Sequence, residues 1–119
     1  KILYFTEFFV IISEYDFDYF VVVAYVNILP KELLEIPKKM CINVHGSILP
    51  KYRGASPVQS ALLNGEKETG VTIMQMSEGM DEGAMICVAK ITISPNETSV
   101  SLFQKFAEIS PNALIDGIL

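Results

Sequence analysis

The residue pair with the clearest chemical potential is Asn43 and His45, which stand at alternate positions near the end of the apolar run Met40–His45. Side chains at alternate positions of a strand lie on the same face. An amide and an imidazole on one face can both donate hydrogen bonds to an oxygen that becomes negative during acyl-type transfer. One such fixed donor contributes about 3–4 kcal/mol to the transition state. The pair favours an oxyanion site, although His45, the only histidine, can equally be satisfied by a backbone partner.

A second candidate is Asp81, which lies in the glycine-containing acidic stretch from residue 77 to residue 83. Glycines let a backbone turn sharply and approach a ligand. A carboxylate directed at His45 would orient the imidazole and help to move protons. Because Glu78 and Glu82 are close neighbours, the alternative is an acidic turn that is simply solvated.

The third candidate is a short loop that combines basic, aromatic and glycine residues, Lys51-Tyr-Arg-Gly54. Such a loop can contact an acidic or nucleotide substrate. The alternative is an ordinary solvent-exposed surface loop without a ligand.

The composition limits the classes of function. A length of 119 residues corresponds to one domain or part of one, and 50% apolar residues allow a core to be buried. The net charge of −5 argues against a broad nucleic-acid-binding surface, which requires clustered basic residues. No apolar stretch reaches the roughly 18 residues of a membrane span, and no signal-peptide pattern is visible. Because the first residue is Lys1, we expect the true N-terminus to lie upstream.

Other common chemical signatures are missing from the sequence. Cys41 and Cys87 lack metal-site spacing and lie in apolar runs, so we expect reduced core thiols and a reducing compartment. There is no phosphate-binding loop, dinucleotide glycine fingerprint, zinc cluster or Ser-His-Asp signature. The tripeptide that begins at Asn96 matches a glycosylation pattern, but that pattern often occurs by chance.

The first half of the chain predicts alternating elements that would position these candidates. A nearly apolar helix is expected over Thr6–Tyr15. The β-branched run Phe20–Tyr25 predicts a strand buried on both faces, as in a parallel sheet. A short helix over Lys31–Ile36, ended by Pro37, precedes the strand Met40–His45.

The second half continues the alternation. The patterns predict a helix over Pro57–Asn64, strands over Gly70–Met76 and Ala84–Ser94, and a helix that starts at Thr98 or Ser99 and breaks at Pro111. Together these elements predict an α/β fold with a mostly parallel sheet flanked by helices. The carboxyl ends of strands are where sites gather in such sheets.

The compound pattern of these motifs resembles the folate-dependent formyltransferase family. The resemblance rests on the Asn-x-His pair, the loop Ser47-Ile-Leu-Pro50 and the Asp-x-Gly loop ending at Gly83, in the family's order and spacing. It implies a Rossmann-like formyltransferase fold. It also implies that residues 1–119 are the C-terminal half of a catalytic domain, with the N-terminal half and any second domain absent.

The resemblance implies a role for each matching residue. Asn43 would hold the formyl oxygen, His45 would stabilise or protonate the oxyanion, and Asp81 would support His45 and help accept the amine proton. The folate would bind between loops Tyr25–Pro30 and Ser77–Asp81, without a metal. The folate-binding residues implied in this way are Tyr25, Ile28, Leu29, Ser47, Leu49, Pro50, Ser77 and Gly79. Val26 departs from the family, which usually has glycine there, and a β-branched residue would strain a positive φ.

Within the family, the stretches Gly54–Pro57, Ile73–Met76 and Gly79–Gly83 are most similar to the branch that formylates methionyl-tRNA. This similarity implies 10-formyltetrahydrofolate as donor and methionine on initiator tRNA as acceptor, in the bacterial cytoplasm or an organelle. Two alternatives remain open. One is a formyltransferase that acts on an amino sugar nucleotide, and the other is a folate-binding remnant without catalysis.

Overall fold

The computed structural model describes residues 14–23, 29–79 and 81–119. Within these residues the elements are β1 (Tyr19–Val23), α1 (Lys31–Leu34), β2 (Met40–His45), α2 (Pro57–Leu63), β3 (Glu68–Gln75), β4 (Met85–Thr92) and α3 (Ser99–Ile118). Most of the predicted helix Thr6–Tyr15 lies outside the described residues. Strand β2 has the predicted bounds, α3 continues beyond the predicted break at Pro111, and the other described elements differ from their predictions by a few residues at the ends.

The four described strands form one sheet in the order β1-β2-β3-β4. β1 and β2 are parallel, whereas β2–β3 and β3–β4 are antiparallel. The predicted α/β class is confirmed, but the expectation of mostly parallel pairing is wrong for these strands. The nine-residue connection 76–84 between β3 and β4 is shorter than the dozen or more residues that a parallel crossover needs, so these strands pair antiparallel. The β2–β3 connection is long enough for either arrangement, and its antiparallel pairing is a property of the tertiary structure.

The main core lies between the sheet and α3. Its buried members are Ile42, Val44, Val58, Val71, Ile73, Leu102, Phe106 and Ala113. They come from β2, α2, β3 and α3, so this one cluster holds both helices against the central strands. A smaller cluster of Val22, Leu29 and Leu33 packs α1 against β1.

β1 is exposed on part of its surface. Val22 is buried, but Val21 is 39% exposed and Val23 is 62% exposed. The prediction of burial on both faces is therefore wrong for the described part of this strand. The physical reason is position: β1 lies at one end of the order of the described strands, and α3 packs on β3 and β4 instead.

Helix α3 begins at a capping box, in which the Thr98 hydroxyl accepts from the Ser101 N–H and Ser101 reaches back to the Thr98 N–H. The helix then continues through Pro111 to Ile118, so the predicted break at the proline is wrong. A proline inside a helix costs about 3 kcal/mol. Burial of Phe106 before it and Ala113 after it keeps the two parts on the same core.

No helix among the described residues is long and apolar enough to cross a membrane.

Candidate active site

The carboxyl end of β2 carries the two donors that the sequence singles out. Asn43 pairs with Val22 of β1 and with Met74 of β3, and His45 pairs with Thr72 of β3. Alternation along the strand places both side chains on one face. Both line a cavity of about 630 Å³, which lies within the size range of small-molecule sites.

The imidazole of His45 is held by two groups and is only 5% exposed. Its Nε2 lies 2.8 Å from the carbonyl oxygen of Tyr52. A carbonyl oxygen only accepts hydrogen bonds, so Nε2 carries a hydrogen and donates it. Its Nδ1 lies 3.6 Å from Oδ1 of Asp81, a distance for an ion pair but too long for a hydrogen bond.

Asp81 turns its carboxylate inward although it belongs to an acidic loop. Its side chain is 10% exposed, whereas Glu78 and Glu82 are exposed. Oδ2 accepts a hydrogen bond of 2.8 Å from the N–H of Gly54. The backbone of Asp81 has φ +52°, a conformation that a non-glycine residue rarely adopts. The solvated-turn interpretation therefore describes the two glutamates and not Asp81.

Unlike His45 and Asp81, Asn43 makes no side-chain hydrogen bond to any described residue. It is half-buried and lines the same cavity as His45 and Asp81. The amide hydrogens are thus available to an oxygen that enters the cavity. This is the arrangement that an oxyanion donor requires.

The rest of the cavity wall is mostly apolar and comes from α2, α3 and the sheet. It includes Val23, Val44, Val58, Val71, Phe103, Phe106 and Leu114, with Gln59 and Ser110 as further polar side chains. An apolar enclosure with a few polar groups lowers the local dielectric and strengthens their electrostatic interactions with a reacting carbonyl. Sequence patterns did not identify these wall residues as part of the site, because strand alternation and helical spacing mark apolar positions only as core.

The structure describes six of the eight predicted folate-binding residues. Tyr25 and Ile28 lie outside the described part of the chain, as does Val26. Leu29 is buried against Val22 and Leu33. Ser77 is exposed, and Gly79 is half-buried beside the Glu82 side chain. None of the described members of this predicted set lines the cavity around His45.

The loop after β2 is held internally. The hydroxyl of Ser47 is fully buried and donates to the carbonyl of Lys51 at 2.6 Å. Thr72 donates to the carbonyl of Ser47 at 2.7 Å and accepts from the N–H of Leu49 at 3.2 Å. In this structure Ser47 and Leu49 shape the loop, and Pro50 is exposed. Thr72 was not predicted from sequence, where it appears only as one polar position in an alternating strand.

The basic-aromatic loop has a different part in the site from the one predicted. Lys51 is at the surface, 3.0 Å from a Glu66 carboxylate whose hydrogen bond raises the pKa of Lys51 above its ordinary value. Arg53 is exposed. Two backbone groups of this loop face the site. The Tyr52 carbonyl contacts His45, and the Gly54 N–H contacts Asp81. Backbone groups have no sequence signature, and only the glycine at position 54 suggested an unusual backbone.

The two cysteines are free thiols. Burial raises the pKa of Cys41 to about 11 and also raises the pKa of Cys87. Neither is a thiolate nucleophile at neutral pH, in agreement with the predicted core role. Among the described residues, no group of three or more His, Cys, Asp or Glu side chains is placed to hold a metal ion.

Comparison with known proteins identifies the family of this chain. The family model described as "Formyl transferase" matches residues 3–118. Methionyl-tRNA formyltransferase of Pseudoalteromonas translucida is 54% identical over 101 residues, which cover 85% of this chain and 32% of that protein. The protein of the same name from Colwellia psychrerythraea is 51% identical over 107 residues, covering 90% of this chain and 33% of that protein. The chain thus spans about a third of the length of these relatives.

A solved structure supports the fold independently. Phosphoribosylglycinamide formyltransferase from Anaplasma phagocytophilum superposes with a TM-score of 0.84 at 23% identity, covering 96% of this chain and 56% of that one. At this identity the likeness concerns the fold alone. The family match over nearly the whole chain shows that the chain belongs to the formyl transferase family.

Proposed function

We propose that the protein containing this chain transfers a formyl group from 10-formyltetrahydrofolate to the amino group of methionine on initiator tRNA. The observation that carries the proposal is the meeting of Asn43, His45 and Asp81 at one mostly apolar cavity. The formyl transferase family and the names of relatives that are more than 50% identical support the donor and acceptor.

The reaction needs two kinds of assistance from the protein. The amine nitrogen attacks the formyl carbon, so that a C–N bond forms and the carbonyl oxygen becomes negative. Collapse of this tetrahedral intermediate breaks the bond between the carbon and the folate N10. The amine loses a proton and N10 gains one. An oxyanion donor and a proton carrier are therefore sufficient, and no electrons are exchanged with a redox partner.

The three side chains match these two needs. The free amide of Asn43 donates to the formyl oxygen, and the imidazole of His45 stabilises the negative charge and supplies a proton. Asp81, at 3.6 Å from the imidazole, holds it in place and accepts the proton of the amine directly or through water. The apolar wall excludes bulk water and makes each interaction stronger than at the surface.

The donor's pterin is assigned to the neighbouring loops. We propose that it binds between Tyr25–Pro30 and Ser77–Asp81, largely through backbone groups, with Leu29 as part of the wall. Asp81 belongs to the second loop and to the cavity, so the formyl group would reach His45 from that side.

We propose that tRNA binds mainly to parts of the protein outside residues 1–119. We propose that these residues form the C-terminal half of the catalytic domain, since the relatives are about three times as long. The net charge of −5 makes this segment a poor surface for a polyanion. Because initiator tRNA is charged in the bacterial cytoplasm, we propose that compartment.

The test is formyl transfer by the complete parent protein from 10-formyltetrahydrofolate, with methionyl-initiator tRNA and an amino sugar nucleotide offered separately. Transfer to the tRNA is expected. Transfer only to the amino sugar nucleotide would make that compound the acceptor in place of the tRNA. Folate binding without transfer to either compound would contradict catalysis. A His45→Ala control distinguishes enzymatic from spontaneous formylation, because spontaneous transfer is independent of that side chain.

A further inference from the structure

The loop residues 52–54 contact both members of the candidate proton-transfer pair. The Tyr52 carbonyl accepts from Nε2 of His45 at 2.8 Å, and the Gly54 N–H donates to Oδ2 of Asp81 at 2.8 Å. Both contacts come from the backbone, two residues apart. One three-residue segment therefore bonds to two side chains that belong to distant parts of the sequence.

The first contact determines which imidazole nitrogen carries a hydrogen. Neutral imidazole has one N–H and one acceptor nitrogen, and the partner decides between them. The Tyr52 oxygen cannot donate, so Nε2 must carry the hydrogen in both the neutral and the charged ring. Nε2 is then already occupied and does not serve the substrate.

The second nitrogen is in a different situation. Nδ1 is 3.6 Å from Oδ1 of Asp81, beyond hydrogen-bond range, while the Asp81 carboxylate is held through its other oxygen by Gly54. Nδ1 is therefore near a carboxylate without being bonded to it. In the charged ring a reacting atom or a water molecule can take the Nδ1 hydrogen, and in the neutral ring Nδ1 can accept one.

Local backbone geometry maintains this arrangement. Tyr52 has φ +56° and Gly54 has φ +101°. These left-handed conformations turn the carbonyl of one residue and the N–H of the other toward His45 and Asp81. At Gly54 such an angle strains any residue with a Cβ, although an added Cβ would meet no atom within 4 Å.

We propose that residues 52–54 form a backbone clamp that keeps the hydrogen on Nε2 of His45 and makes Nδ1 the nitrogen that passes a proton to the substrate. The inference rests on the proposed function. The proton that leaves the attacking amine goes to Asp81, and the charged ring gives its Nδ1 proton to the folate N10 as the C–N10 bond breaks. Because Asp81 and Nδ1 are too far apart for a direct hydrogen bond, a water molecule between them then returns the proton from Asp81 to the ring. Tyr52 and Gly54 are positioning residues.

The first test is direct and needs no turnover. Nitrogen-15 spectra of the full-length parent protein, labelled at histidine, report which ring nitrogen carries the hydrogen. The His45 signals are identified by their loss in His45→Gln. We expect the neutral ring of His45 to be the Nε2–H tautomer. A neutral Nδ1–H tautomer would overturn the clamp while leaving the proposed formyl transfer untouched.

The second test uses a matched pair of glycine substitutions. Gly54→Ala and Gly65→Ala both place a Cβ at positive φ with no atom within 4 Å, but only Gly54 contacts the site. We expect Gly54→Ala to lower kcat about tenfold to hundredfold, the rate equivalent of one hydrogen bond to a charged group, with the folate KM unchanged. Gly65→Ala should keep kcat. Equal kcat losses in both variants, or none at Gly54, would refute the positioning role.

Discussion

Replacement of Asn43 by alanine isolates the oxyanion donor from the stability of the fold. The amide bonds to none of the described residues, so its removal breaks no hydrogen bond of the folded state among them. We expect the free energy of unfolding to change by less than about 1 kcal/mol. In the transition state the same amide meets a negative oxygen inside a mostly apolar cavity. Loss of one such donor lowers kcat about 10²- to 10³-fold, or about 2.7–4 kcal/mol.

The assay is steady-state formyl transfer by the full-length protein, with urea unfolding of the same preparations. The folate KM should stay unchanged, because the interaction strengthens only as charge develops. Gln59→Ala is the matched control, since this exposed amide lines the same cavity from α2. Its free energy of unfolding should change by no more than about 0.5 kcal/mol, as is typical of surface substitutions, and its kcat should stay within about twofold of the parent. A kcat loss below tenfold for Asn43→Ala, about 1.4 kcal/mol, would refute the oxyanion assignment.

Three further outcomes are expected. His45→Ala should lower kcat far more than folate affinity, and equal losses in the two would contradict a transition-state role. Glu97 has its pKa lowered to about 2 by hydrogen bonds from a lysine and then a serine, below the ordinary 4.5. This carboxylate therefore stabilises the fold above about pH 4.5, and the contribution disappears as the pH falls toward 2. Glu97→Gln should be less stable than the parent in urea at neutral pH and lose that difference over this window, whereas a pH-independent difference would contradict the linkage. Thr72→Val leaves a buried N–H and carbonyl without their partner and should cost about 1–3 kcal/mol in unfolding free energy. Thr69→Val changes a buried threonine whose side chain bonds to no loop residue among those described, and should cost less.

Local patterns predicted most element positions but not their pairing. The bounds of β2 and the proline start of α2 follow from apolar runs and backbone-restricting residues, which act within a few neighbours. The same patterns do not specify which strand pairs with which. The expected mostly parallel pairing was wrong for the described strands, because pairing depends on the connections and the tertiary structure. The expected burial of Val21 and Val23 and the break at Pro111 were wrong because both depend on how α3 packs against the sheet.

For the candidate site as well, some features follow from the sequence and others only from the tertiary structure. The types and spacing of Asn43, His45 and Asp81 were sufficient to nominate them from sequence, because strand periodicity and a glycine-containing loop are local properties. Only the tertiary structure brings Asp81 to 3.6 Å from a histidine 36 positions earlier in the chain. It alone places the carbonyl of Tyr52 on Nε2 and the N–H of Gly54 on the carboxylate. Those contacts use atoms that every residue carries, so their specificity arises from backbone conformation and not from residue type.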